Sequence, residues 1–157
     1  MKKINKAAKF CCVLCAILML TVLILQYIPY WTYSDGSASI ADYVWWPEHH
    51  KALTKEFRND FGRDYAVQQI VLMPVTILVT TILGVVVCVL KPGKIGAFIL
   101  PLITGAMGLY GFLTVPVFSL GSTYIVQIVA SAVLLVVAII GGVFSILNKR
   151  SERTLVQ

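Results

Sequence analysis

Charge is missing from most of this chain. Across Phe10–Ile28, Val67–Leu90, Ile95–Phe118 and Thr123–Leu147 there is no Asp, Glu, Lys, Arg or His. A charged side chain at the middle of a bilayer costs about 2.5–3.5 kcal/mol on the lenient insertion scale, so this absence is what a membrane span requires. It also removes any intramembrane carboxylate, the group through which small four-helix multidrug exporters couple transport to protons. Acid is scarce as well: of seven Asp and Glu, six fall between Tyr30 and Ala66. That same segment has no cysteine and no Asn-x-Ser/Thr site, which excludes a disulfide staple and an N-glycan there. The lack of both suits a bacterial plasma membrane. Histidine occurs twice, as the adjacent pair His49 and His50. Neighbouring side chains on a helix diverge by about 100°, and zinc takes three or four ligands. No metal site, no cofactor and no hydrolytic triad is therefore expected, since neither His has a matching nucleophile.

What remains is apolar: 59% hydrophobic residues, 13% charged, and a mean hydropathy of +0.86. Crossing the hydrocarbon core takes about 20 apolar residues in a helix, and each of the four uncharged runs supplies that. The predicted fold is an all-α integral membrane protein, a four-transmembrane-helix bundle forming one membrane domain over residues 1–157. The spans run over about 8–28, 67–90, 95–118 and 123–147, with an outer loop at 29–66 and a polar tail at 148–157. The first span is read as a signal anchor, because its apolar run is longer than a cleavable leader's and no small-x-small site follows closely.

Nine of the thirteen basic residues fall on the side holding both termini and the turn Lys91-Pro92-Gly93-Lys94. By the positive-inside rule that side is cytoplasmic, and its lysines should lean on anionic lipid headgroups. The basic pI of about 9.3 reflects this asymmetry and implies no nucleic-acid partner. Under this topology every Tyr and Trp lies in the outer half or at the outer interface, where an apolar ring with one polar end is at home.

Within the loop, Trp31-Thr32-Tyr33 and Ser39–Trp45 read as two strands around an Asp35-Gly36 turn. Pro47 then suits the first turn of a helix, and Leu53, Phe57, Phe61 and Tyr65 recur every four residues among charged ones. That is an amphipathic helix for the membrane surface. Together they make a small extracytoplasmic cap, a short β-hairpin plus an interfacial helix. Its candidate surface for a protein partner or lipid comprises Trp31, Tyr43, Trp45, Trp46, His49, His50, Leu53, Phe57 and Phe61.

Small residues let helices approach where lipid offers no hydrophobic drive. Gly105, Gly108 and Gly111 on the third span, with Ala138 and Gly142 on the fourth, predict that these two helices make the tightest contact. The first span has no small-residue face and is expected to turn much of its surface to lipid. Its Cys12-Val13-Leu14-Cys15 has dithiol spacing, and a four-helix protein carrying it resembles the quinone-linked membrane oxidoreductases that generate disulfides. That family works its cysteines at the outer surface, whereas this motif falls on the inner side.

The segment order, with Ile28-Pro29-Tyr30-Trp31 closing the first span, resembles the claudin and peripheral-myelin-protein tetraspans. The family's paired loop cysteines and Gly-Leu-Trp motif are absent, so the likeness is one of topology. Taken together, the sequence predicts a non-catalytic plasma-membrane protein. It would be a scaffold, accessory subunit or sensor that meets membrane lipids and a protein partner, or a second copy of itself, through the outer loop. The alternative is a small-molecule or lipid transporter or binding protein with a cavity between spans two, three and four. Gln68, Gln69, Thr76 and Gln127 would line such a cavity.

Overall fold

The computed structural model describes residues 2–28, 31–33, 36–39, 72–114 and 123–154. They form four helices and one short strand pair. Helix α1 covers Lys2–Leu25; β1 (Trp31–Tyr33) and β2 (Gly36–Ala38) follow. Helix α2 covers Met73–Leu90, a 3-10 turn covers Ile95–Phe98, α3 covers Ile99–Thr114, and α4 covers Thr123–Thr154. Three of them, α1, α2 and α4, are long and apolar enough to cross a membrane; the run Ile95–Tyr110 is apolar but shorter.

The bundle has apolar side chains on its inside and on its outside. Met19, Val22, Ile77, Phe98 and Leu134 fill the core, which also takes in the polar side chains of Gln26, Thr80, Thr81, Thr104, Gln127, Ser131 and Ser145. Other large aliphatic side chains face outward: Ile17 and Ile24 on α1, Val79 and Val86 on α2, Ile103 on α3, Val129, Val136 and Ile139 on α4. In water such a continuous apolar surface would be an aggregation hazard. Against lipid tails it is the solvated face.

The core follows heptad-like spacing. On α1 the buried positions Ala8, Cys11 or Cys12, Cys15, Met19, Val22 and Leu25 recur every three or four residues, so one stripe stays on one face. The rest of α1 is turned outward, at Phe10, Val13, Ile17, Leu20 and Ile24, so the expectation that much of its surface is free for lipid is compatible with one packed stripe. The contact of α1 with α4 is the most extensive in the bundle, exceeding that between α3 and α4. The close contact between α3 and α4 is therefore not the most extensive one, and α1 also packs on α2. At Gly84 of α2, a Cβ would sit 2.7 Å from the Met19 sulfur, so the glycine is the hole that Met19 fills.

Helix ends also differ from the sequence reading. α1 begins at Lys2, inside the expected basic tail, and gives way after Leu25 to a tighter turn, with Gln26, Tyr27 and Ile28 each bonding three residues back. α4 continues to Thr154, through most of the segment read as a tail. Asn148-Lys149-Arg150-Ser151-Glu152-Arg153 has no Pro or Gly and is rich in helix formers. Hydropathy ended there; helix propensity did not.

The β-hairpin cap is not supported as expected. β1 and β2 pair antiparallel over three positions, Trp31 opposite Ala38, Thr32 opposite Ser37 and Tyr33 opposite Gly36. The ladder therefore ends before Ser39, where the second strand was expected to start. Gly36 lies in the ladder rather than supplying a positive-φ turn; among the described glycines only Gly93, at φ 77°, has that conformation. Three pairs make a marginal element, and the expected interfacial helix lies outside the described residues.

Candidate functional site

The expected partner surface is almost wholly beyond view. Trp31 is placed only as the first residue of β1; Tyr43, Trp45, Trp46, His49, His50, Leu53, Phe57 and Phe61 lie outside the described residues. Gln68 and Gln69, expected to line a transport cavity, lie outside them too. Thr76 bonds back to the Leu72 carbonyl at 2.6 Å. The described site chemistry lies in the interior and at the basic end of the bundle.

Proline and cysteine act together in that interior. Proline has no N–H, so the carbonyl four residues before it loses its helical partner. Pro92 leaves the Cys88 carbonyl open, and the Cys12 thiol of α1 donates to it at 3.6 Å. Pro101 leaves the Ala97 carbonyl open, and the Cys88 thiol donates there at 3.5 Å. Two thiols thus tie α1 to the end of α2 and α2 to the 3-10 turn. All four cysteines are free and buried, and Cys12 is engaged with α2 rather than with Cys15. Among the described residues no group of three or more His, Cys, Asp or Glu could hold a metal ion.

Hydroxyls make a second tie. Thr104 of α3 donates to the Thr80 oxygen at 2.8 Å, and Thr80 in turn donates to the Thr76 carbonyl at 2.7 Å. A relay running this way uses each hydroxyl proton once. Interhelical bonds of this kind are worth about 0.6 kcal/mol each in membranes.

The small residues of α3 lie against α4. A Cβ on Gly105 would stand 3.1 Å from the Leu135 amide nitrogen and 3.2 Å from the Ser131 carbonyl oxygen. On Gly108 it would meet the Ser131 hydroxyl at 2.6 Å. Gly111 lies in α3, but its surroundings are not among those described. Ala138 is fully buried, while a Cβ on Gly142 would meet only the Phe98 Cβ, at 4.0 Å. The glycine that α4 needs is Gly141, next to the expected Gly142. There an added Cβ would collide with the Phe98 ring.

One group of buried polar atoms has no partner. Gln127 donates from its side-chain nitrogen to the Leu25 carbonyl at 3.1 Å. Among the described residues its oxygen, both polar side-chain atoms of Gln26, and the Ser131 and Thr81 hydroxyls have no hydrogen-bond partner. Gln127 and Ser131 are one turn apart on α4, and Gln26 follows in sequence the Leu25 carbonyl that Gln127 holds.

At the basic end, a basin of about 500 Å³ is lined by Asn5, Lys9, Leu90, Lys91, Pro92, Gly93, Lys94 and Asn148. It joins two smaller depressions of about 230 and 240 Å³ that add Ser145, Lys149 and Arg150. No family model, curated protein or solved structure matches the chain.

Proposed function

We propose that the chain is a non-catalytic integral membrane protein that crosses the bilayer four times and presents loop 29–66 to a partner outside. It sits in a bacterial plasma membrane with both termini in the cytoplasm, and serves as a scaffold, accessory subunit or sensor. The outward apolar surface carries this reading: large aliphatic side chains are exposed on all four helices. A platform built this way exposes recognition groups only at its ends. The fourth crossing is assigned to the 3-10 turn and α3 together. At about 2.0 Å per residue for the turn and 1.5 Å for the helix, they extend about 32 Å, close to the hydrocarbon thickness of about 30 Å.

A second reading, transport or binding of a small polar molecule between helices, is favoured by one observation: the unpartnered atoms of Gln26, Gln127 and Ser131. Buried polar groups without partners are costly and call for an occupant, water included. Photocrosslinking from position 46, in place of Trp46, tests both. Scaffolding predicts a discrete adduct in native membranes that persists when Gln26 and Gln127 are both changed to Leu. Loss of the adduct in that double variant, with solute flux through reconstituted wild-type vesicles, would favour transport.

A further inference from the structure

The basin at the basic end has three properties that belong together. Its cations come from separate elements: Lys9 from α1, Lys91 and Lys94 from the turn between α2 and the 3-10 segment, with Asn5 and Asn148 adding amides from α1 and α4. Among the residues whose side chains are described, no acidic one lines it or the two depressions that join it. One side is apolar, since Leu90 lines it and the joining depressions include Ile95 and Ile146, all exposed on the outer faces of their helices.

A point anion is the natural occupant of converging ammonium groups and amide N–H donors. The apolar side selects among anions, because a phosphate that carries acyl chains can lay them along Leu90 while its oxygens meet the lysines. We infer that this basin binds the phosphate of an anionic membrane lipid. The turn is shaped for it at Gly93. Its φ of 77° suits glycine, and a Cβ there would stand 3.2 Å from Lys9 Cγ. The lysine stem therefore lies close to the glycine, and Lys9 lines the same hollow as Lys91 and Lys94. Diffuse attraction to a charged surface needs no such placement; a headgroup site does.

Lys6 separates the two cases, since it lies on the same end of α1 and is exposed but lines none of the three depressions. The experiment uses the full chain purified in non-ionic detergent and mixed with equal amounts of phosphatidylglycerol and phosphatidylcholine, with bound lipid counted by native mass spectrometry. The wild type should retain phosphatidylglycerol preferentially. Lys9→Gln should lower that preference about fivefold, and the triple change K9Q/K91Q/K94Q should bring it near parity, since each basic residue at a surface is worth roughly fivefold in binding. Lys6→Gln should change it less than twofold. Gly93→Ala keeps every charge yet should weaken retention, because the Lys9 stem is displaced. Millimolar glycerol 3-phosphate should leave the lipid in place. The inference is overturned by equal effects of K6Q and K9Q, by no preference in the wild type, or by displacement of the lipid by glycerol 3-phosphate, which would make the site one for a soluble phosphate.

Discussion

At the scale of single residues, glycines set the distances between helices. Gly105 faces backbone atoms of α4, which cannot swing aside, so Gly105→Ala must part the helices. The expected cost is about 1–3 kcal/mol, read as a lower unfolding midpoint in detergent. Gly141 faces a ring instead, and Phe98 is 1% exposed with little room to move. Gly141→Ala should destabilise comparably, and adding Phe98→Leu should restore part of the loss; additive losses would show that the two do not touch. The cysteines make a chemical prediction. If Cys12 matters because it donates to the carbonyl that Pro92 leaves open, Cys12→Ser should keep the protein stable. Cys12→Ala should cost about 1 kcal/mol for the orphaned acceptor. Equal stability of the two variants would remove the thiol–carbonyl tie from the account.

At the scale of elements, part of the architecture was legible and part was not, for physical reasons. Uncharged runs mark helices because lipid penalises charge, so α1, α2 and α4 could be read from composition alone. The spacing of Gly105 and Gly108 likewise lies within one helix and can be seen locally. The packing of α1 cannot: Met19 is an ordinary large side chain until Gly84, on another helix, is known to face it. The proline–cysteine ties pair residues 76 and 9 positions apart, and neither member signals the other. Helix α4 runs past Leu147 because polar residues also make helices, which hydropathy does not register. For the outer loop, the Asp35-Gly36 signal suggested a turn, yet Gly36 is in the ladder; a three-pair element is too short for local preference to decide. One prediction belongs at this scale. Thr104→Val keeps volume but cuts the tie between α3 and α2, and should cost about 0.6 kcal/mol, well below Gly105→Ala. A Thr104→Val loss as large as the glycine's would mean the relay, rather than close packing, holds α3 in place.

For the whole molecule, the account rests on orientation: both termini and the Lys91–Lys94 turn inside, the loop of residues 29–66 outside. Every proposal about partners inherits that geometry, since an inverted chain would put the aromatic segment in the cytoplasm and the phosphate basin outside. The native cysteines are all buried, so introduced ones can be read against a quiet background. Gly96 is a suitable inner position because nothing lies within 4 Å of a Cβ built there. The most direct test is labelling of Ser37→Cys and Gly96→Cys in intact cells with a membrane-impermeant maleimide. The account predicts that position 37 is labelled at once and position 96 only after the membrane is opened; labelling of position 96 in intact cells, with position 37 protected until lysis, would contradict it.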